Sequence, residues 1–483
     1  MFRLMTSAQM PADVRAFVDR INDAGTQPAV MRGLFADDAT IFVSRAPGRM
    51  DVMGGIADYS GSLVLQMPIR EAAVAGVQRD ATSRQIRLVS LGGVERSESF
   101  AFPLDDLLHN GSPVDYETAR AFFAATGPHR WAAYLGGAFL VLMREVGAHF
   151  DSGCRILLDS LVPDGKGVSS SAAIEVATMR AICGAYDIEL SPRTLALLCQ
   201  KVENLVVGAP CGVMDQMASA CGEEGQLLAI LCQPAELLDS VALPDDLTVW
   251  GIDSGIRHAV SGADYGSVRT GAFMGLEILR RVTGVSADAD DRWGGYLANV
   301  TPHEWQQLEA HVPERLTGTA FLESYAGIAD RVTRVDPDRD YGVRPCTAHP
   351  ILEHQRHRIF AELLATDPST RRNELLGELM LQSHVSYSLC GLGSDGTDEL
   401  VAAVDSPLSR QAGLFGAKIT GGGSGGTVAV LGAPHGEAHV EQIARDYADR
   451  HGHEPHIFRG SSPGAARFGV VRLESPSAPE TGR

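Results

Sequence analysis

Apolar positions along the chain come in two strand-rich stretches with helical stretches between and after them. Residues 1–40 are polar with a few apolar positions at helical spacing, which predicts one or two helices before a first strand at Ala39–Arg45. Ser62–Met67, Ala72–Gln78 and Gln85–Leu91 are rich in apolar residues and bounded by turn residues, so they read as strands of hairpins. Trp131–Glu145 has helical periodicity, and Gly136 and Gly137 would let a neighbouring helix come close. A strand at Cys154–Leu158 leads into a glycine-containing loop, and Ser170–Ala185 reads as a buried helix. Residues 192–207 form another helix, carrying Glu203.

Strands at Gln226–Leu231 and Leu247–Asp253 mark a change of pattern, which divides the chain into lobes over 1–235 and 236–473. Residues 284–350 are acidic and contain prolines (Asp288, Asp290, Asp291; Asp336-Pro337-Asp338), the composition of a solvated insertion with short helices. Helices near 351–365 and 371–386 precede a strand at Gly416–Thr420, a glycine run and a strand at Thr427–Leu431. Residues 474–483 read as a disordered polar tail, and there is no internal repeat.

Composition narrows the classes. At 483 residues with 45% apolar content, the chain is long enough for two lobes and apolar enough to bury both. A formal charge of −19 repels nucleic acid and anionic membranes, so an anionic substrate must be met by local donors and a metal ion. No apolar run approaches a membrane span. The eight cysteines are scattered without a C-x-x-C pair, and no secretory leader is evident; a cytoplasmic protein with reduced thiols is expected, as a monomer or weak homo-oligomer.

Three segments carry chemistry. Pro163-Asp-Gly-Lys-Gly-Val-Ser-Ser-Ser-Ala-Ala173 places Gly165 and Gly167 ahead of Ser169, Ser170, Ser171 and Ala172, where a helix opens. Unpaired N–H groups and the positive helix pole at such an end suit a phosphate chain, although a serine-rich cap has the same look. Arg45-Ala-Pro-Gly-Arg-Met-Asp-Val-Met-Gly-Gly-Ile-Ala-Asp-Tyr59 puts Arg49 and Asp58 on a turn-rich connection. Ala209-Pro-Cys-Gly-Val-Met-Asp-Gln216 presents Asp215 after a glycine turn, downstream of Glu203. One carboxylate can hold Mg²⁺ while another takes a proton from an attacking hydroxyl.

The run Gly421-Gly422-Gly423-Ser424-Gly425-Gly426 contains G-x-G-x-x-G, but a strand follows where a dinucleotide site needs a helix. Five glycines in six residues exceed what a bend requires and favour close backbone approach. Two histidine groups, His349/His354/His357 and His451/His453/His456, fit metal spacing only loosely.

In order and spacing, Ala46-Pro-Gly-Arg49 with Asp58-Tyr59, Cys211-Gly-Val-Met-Asp-Gln216 and Lys418-Ile-Thr-Gly-Gly-Gly423 resemble the signature motifs of the GHMP small-molecule kinases, galactokinase branch. The resemblance implies an α/β (α+β) two-lobe fold: an N-terminal mixed-sheet lobe, a C-terminal ferredoxin-like lobe and an active site in the cleft. It further implies that the 163–173 loop, through Gly165, Gly167, Ser169, Ser170, Ser171 and Ala172, wraps the phosphates of ATP. Ser171 and Glu203 would hold Mg²⁺, Asp215 would be the catalytic base, and Arg49 would stabilise charge. Asp58, Gly212 and Tyr265 would contact a sugar, and Gly421, Gly422, Gly423 and Ser424 form the third motif.

The departure lies in the first motif, where galactokinases carry Gly-Glu-His-Thr-Asp-Tyr and this chain has Gly54-Gly55-Ile56-Ala57-Asp58-Tyr59. With Gly55 and Ile56 there, the terminal hydroxyl of galactose would face Ile56 unpartnered, at a cost of about 1–3 kcal/mol. A pentopyranose lacks that group, and 49–60, 250–258 and 390–397 also resemble the kinase portion of plant L-arabinokinases. The expectation is an ATP- and Mg²⁺-dependent sugar 1-kinase acting on L-arabinose. Galactose or another galacto-configured sugar is the alternative, and a non-catalytic sugar sensor the remote one.

Overall fold

In the computed structural model the long apolar strands pair into two separate sheets. All residues are described except 1, 5–9, 24, 26, 93–95, 257–262, 286–290, 424–425 and 476–483. The larger sheet runs Arg3–Leu4, Val471–Glu474, Ile41–Met53, Leu63–Asp80, Gly153–Ser160, Gln85–Gly92, Arg96–Pro103, with Gln226–Leu231 pairing to the first half of Leu63–Asp80. Gln85–Gly92 and Gly153–Ser160 run parallel, so the sheet is mixed. The smaller sheet is antiparallel in the order Leu414–Ile419, Thr427–Gly432, Thr248–Asp253, Ile457–Arg459.

The expected break between Met67 and Ala72 is absent. One strand, Leu63–Asp80, runs through Pro68, which sits opposite Arg49 where the register shifts. A proline is tolerated at such an irregularity because no ladder N–H is needed there. The partner strand extends to Met53, so Arg49 stands on a strand and not on the expected turn-rich connection.

Ser170–Ala185 and Ala132–Val146 form the expected buried helices behind the larger sheet. A Cβ on Gly136 would stand 2.8 Å from Phe123, and one on Gly137 3.0 Å from Val202, so both glycines set helix packing. In the second lobe Gly377, in the Thr370–Leu389 helix, lies against the Leu414–Ile419 strand; its Cβ would fall 2.0 Å from the Phe415 carbonyl.

The division at 235/236 needs correction. Short strands at Glu236–Leu237 and Val241–Ala242 still pair with Gln226–Leu231, so the change of sheet comes at Thr248. Near the other end Val471–Glu474 returns to the first sheet, and the rest of the expected tail from 476 lies outside the described residues.

The acidic 284–350 stretch does contain the short helices Pro302–Leu308 and Gly318–Ser324. It is not merely solvated, because Trp293, Trp305, Phe321 and Tyr341 bury themselves in one core with Ile56, Tyr59 and Tyr387. Asp291 ion-pairs with Arg280, while Asp288 and Asp290 lie outside the described residues. Sequence reasoning missed the 21-residue helix Ala263–Thr283 and the strand Arg96–Pro103. All eight cysteines are free thiols. Among the described residues no helix is long and apolar enough to cross a membrane.

Candidate active site

Where the Gly153–Ser160 strand ends, the 163–169 loop winds down to the start of the Ser170–Ala185 helix. Gly165 and Gly167 take positive φ (70° and 74°), and Ser169 occupies the left-handed region at φ 60°, ψ 52°. A residue with a Cβ holds that conformation at a cost of about 1–3 kcal/mol. Ser169 Oγ is buried without a hydrogen-bond partner, and Ser170 Oγ donates to Asp164 Oδ1 at 3.1 Å.

Arg49 reaches this loop from its strand. Its Nε and Nη2 lie 2.9 and 2.8 Å from Asp215 Oδ1, Nη1 donates to the Gly167 carbonyl, and its backbone N–H donates to Val168 O at 3.0 Å. Burial opposes the guanidinium charge, yet Asp215 and Asp51 outweigh it and hold Arg49 above its ordinary range. Asp215 itself lies in the first turn of the Met214–Cys221 helix.

Glu203 sits in a π-helical turn, Val202–Val207, that continues the Pro192–Lys201 helix. Gln216 Nε2 donates to Glu203 Oε2 at 2.6 Å and to Glu175 Oε2 at 3.2 Å. Burial first, and then the Asp215 charge, push Glu203 up to about 7 against hydrogen bonds from Ser171, Cys211 and Gln216.

Asp58 closes the opposite side. It is buried, its Oδ1 has no partner, and a Cβ on Gly212 would stand 1.6 Å from its Oδ2, so only glycine fits at 212. Burial and then Asp215 push Asp58 up to about 7, with Arg269 pulling the other way. Tyr265 stands edge-on to Tyr59, centroids 5.8 Å apart.

The glycine run completes the arrangement. A Cβ on Gly421 would lie 2.7 Å from the Gly167 carbonyl and 3.1 Å from Arg49 Nη2; one on Gly426 would lie 2.6 Å from the Lys166 carbonyl. What these glycines approach closely is therefore the 163–169 loop. The three segments and the glycine run surround one cleft of about 300 Å³ that Arg49, Asp58, Ser171, Glu203, Asp215 and Gly422 help to line.

Comparison with known proteins points to one family. Three family descriptions match: "GHMP kinases N terminal domain" over residues 133–223, "Galactokinase galactose-binding signature" over 32–79, and "GHMP kinases C terminal" over 360–453. A galactokinase of Streptomyces coelicolor is 30% identical, with 87% of this chain and 92% of that protein covered. The chain belongs to the GHMP kinase family. An L-arabinokinase of Arabidopsis thaliana is 45% identical over 95% of this chain, and the chain spans 50% of that protein's length. The galactokinase of Lactococcus lactis, solved with galactose, shares the fold at a TM-score of 0.68 and 19% identity, with 94% of this chain and 98% of that one covered.

Within this GHMP kinase fold the motif residues fall into place unevenly. Gly165, Gly167, Ser169, Ser170, Gly212 and Tyr265 also border the cleft. Ala172 is buried within its helix, and Gly421 and Gly423 pack behind the cleft against the loop, Arg49 and Tyr387. Ser424 lies outside the described residues.

Gly55 and Ile56 do not border the cleft, which corrects the expected apolar wall. Ile56 turns into the second apolar core, and a Cβ on Gly55 would fall 1.2 Å from Tyr387 Oη. Tyr387 accepts the Ile56 N–H at 2.9 Å and so fills the volume a side chain at 55 would occupy. Lys166 turns to Asp253 of the second sheet at 2.8 Å. The histidines are engaged elsewhere: His354 Nδ1 accepts the Leu63 N–H at 3.0 Å, His357 pairs with Glu353, and His451, His453 and His456 face Glu399, Asp253 and Glu71.

Sequence reasoning missed Glu175, Gln216, Arg269 and the Asp51–Lys418 ion pair at 2.6 Å. Gln216 and Asp51 stand inside quoted motifs, but nothing in a motif says which of its polar residues turn inward.

Proposed function

We propose that this chain is an ATP- and Mg²⁺-dependent sugar 1-kinase that phosphorylates the anomeric hydroxyl of L-arabinose, giving L-arabinose 1-phosphate and ADP. One observation carries the reading: Asp215, held by Arg49, stands in a single cleft between the 163–169 loop and Asp58. The kinship to an L-arabinokinase over nearly the whole chain supports the choice of sugar.

The residues present fit the two groups the reading requires. Ser169 Oγ, buried and unpartnered at a helix N-terminus, is a donor suited to a phosphate oxygen. Ser171 and Glu203 are hard oxygen donors joined by a hydrogen bond, and a carboxylate kept costly by burial and Asp215 is one a cation would relieve. Bound there, Mg²⁺ would neutralise charge on the phosphates.

On the sugar side, Asp58 and Tyr265 line the cleft and would read ring hydroxyls, Asp58 through the oxygen that has no partner. Asp215 takes the proton of the anomeric hydroxyl as that oxygen forms its bond to the γ-phosphorus and the bond to the bridging oxygen of ADP breaks. Arg49 stays paired with Asp215 and holds the loop through Gly167, so positive charge remains at the point of transfer. Free thiols throughout suit the reducing cytoplasm.

A second reading, galactose as substrate, is favoured by the matched galactose-binding signature. A panel of free sugars with ATP, followed by identification of the phosphorylated carbon, tests both. Faster turnover of L-arabinose at C1 is expected. Faster turnover of galactose selects the second reading, and absence of ADP release with every sugar rejects both in favour of a sensor.

A further inference from the structure

Outside the motifs, one buried ion pair reaches the sugar side of the cleft from the acidic 284–350 stretch. Asp330 is 4% exposed in its side chain and receives Arg269 Nε and Nη2 on its two oxygens, both at 2.8 Å. Its own turn completes the holding, with the N–H groups of Val332 and Thr333 and the Thr333 hydroxyl all donating to the carboxylate. Such two-point pairing fixes the plane of a guanidinium as well as its position.

The remaining arm of Arg269 is not spent on Asp330. Nη1 donates to the Cys211 carbonyl at 3.1 Å, and the guanidinium lies over the Tyr59 ring, 5.4 Å from its centroid. Cys211 is also held from the other side: its N–H donates to Asn204 Oδ1 at 2.8 Å and its carbonyl accepts Asn204 Nδ2 at 3.2 Å. The next residue is Gly212, where an added Cβ would stand 1.6 Å from Asp58 Oδ2. Tyr59 follows Asp58 and packs on Tyr265. One cation therefore bridges the two segments that bring Gly212 and Asp58 to the cleft, and it stands on the same Ala263–Thr283 helix as Tyr265.

We propose that the Asp330–Arg269 pair is a positioning device that fixes the 208–213 loop and Tyr59, so that the 284–350 stretch, through Asp330, sets affinity for the sugar. This rests on the reading of the Asp58 side of the cleft as the sugar site. Neither residue has a hydrogen bond to the 163–171 segment, so the larger effect is expected on the sugar. Arg269→Lys keeps the charge but cannot make two parallel bonds to Asp330 and a third to Cys211 at once.

The test uses Arg269→Met, Arg269→Lys, Asp330→Asn and the Arg269→Met/Asp330→Asn double variant. Hydrogen–deuterium exchange is read first, on the 204–213 and 163–171 segments without substrate. At least fivefold faster exchange is expected at 208–213, with 163–171 unchanged. In kinetics with the sugar that the wild type prefers, KM for sugar should rise tenfold or more while KM for ATP stays within twofold. The double variant should be no worse than the worse single one, because the two residues act as a unit.

Unchanged exchange at 208–213 overturns the proposal whatever the substrate is, and so does a rise of both KM values together in step with lost thermal stability. If the wild type phosphorylates no sugar, the functional reading falls; the exchange measurement then decides the loop-fixing role by itself.

Discussion

Asp215 and Asp58 share one small cleft, and the charge of Asp215 helps raise the Asp58 carboxyl. Asp215 has the Arg49 guanidinium on one oxygen. Asp215→Asn keeps the shape and the hydrogen bond but removes the proposed base; kcat should fall about 100-fold or more with melting temperature nearly unchanged. A variant with wild-type kcat would remove Asp215 from the chemistry.

Asp58 leads to a different prediction, about pH. Its carboxyl rises to about 7 on burial beside Asp215, against roughly 3.9 in an unfolded chain. The proton is therefore bound more tightly in the folded state, and the stability this contributes is complete below about pH 4 and lost as pH rises through 7. The loss amounts to at most about 4 kcal/mol. Asp58→Asn should thus gain stability relative to wild type between pH 5 and 8 in urea titrations. Glu203, also raised to about 7, keeps part of the slope in both proteins. An equal difference at both pH values would refute the assignment.

That Arg49, Asp58 and Asp215 meet in one cleft was legible in the chain because each stands in a short segment where glycines and polar residues interrupt an apolar pattern, whereas Glu203, on a helix, was marked by the family resemblance. Arg269 was not, because its partner Asp330 is 61 residues away and ion pairs at that distance leave no local pattern. Ile56 misled for a related reason: its place in a sugar-contacting motif does not say whether its side chain turns to the cleft or to the core.

At the level of the element, the glycine run shows how backbone proximity replaces side-chain chemistry. The Leu414–Ile419 and Thr427–Gly432 strands aim their connection at the 163–169 loop, and Gly421 and Gly426 remove the Cβ atoms that would collide with it. Gly421→Ala meets both a strained φ of 70° and a backbone carbonyl at 2.7 Å. It should raise KM for ATP at least tenfold and lower the melting temperature. Gly452→Ala is the control, with φ 65° at a helix end and nothing within 4 Å. That variant carries the left-handed penalty, about 1–2 kcal/mol, without the collision and should leave KM for ATP unchanged. Equal kinetics in the two would mean that strain alone, and not proximity to the loop, gives Gly421 its importance. The number of glycines made a close approach readable from sequence. Its target was not, since a glycine run does not record whether ligand or backbone lies opposite. Strand limits were blurred at Pro68 for a similar reason: a local breaker is harmless when the partner strand bulges to meet it.

Across the whole molecule, the two sheets are tied by buried charge. Lys418 of the second sheet pairs with Asp51 of the first at 2.6 Å, both fully enclosed, and the Lys418 ammonium lies 5.2 Å from the Tyr387 ring centroid. Asp51 also accepts Gln66 Nε2 and the Gly55 N–H, and its charge helps hold Arg49. Burial opposes the Asp51 charge, yet Lys418 and Arg49 overcome it and keep the carboxyl below its usual range. Removing the lysine alone leaves a buried carboxylate short of a partner, at a cost of about 3–5 kcal/mol, whereas neutralising both members together costs far less. Calorimetry should therefore show one unfolding transition for the wild type, because the pair loses its partner if either lobe opens. Lys418→Met should lower that transition and split it into two, with the second lobe's sheet parting from the first. Asp51→Asn combined with Lys418→Met should recover much of the lost stability, since no unpaired charge is left inside. High salt should change none of this, because a pair without solvent access is poorly screened. Two separate transitions in the wild type would show that the lobes fold independently and that this contact, however well formed, does not couple them.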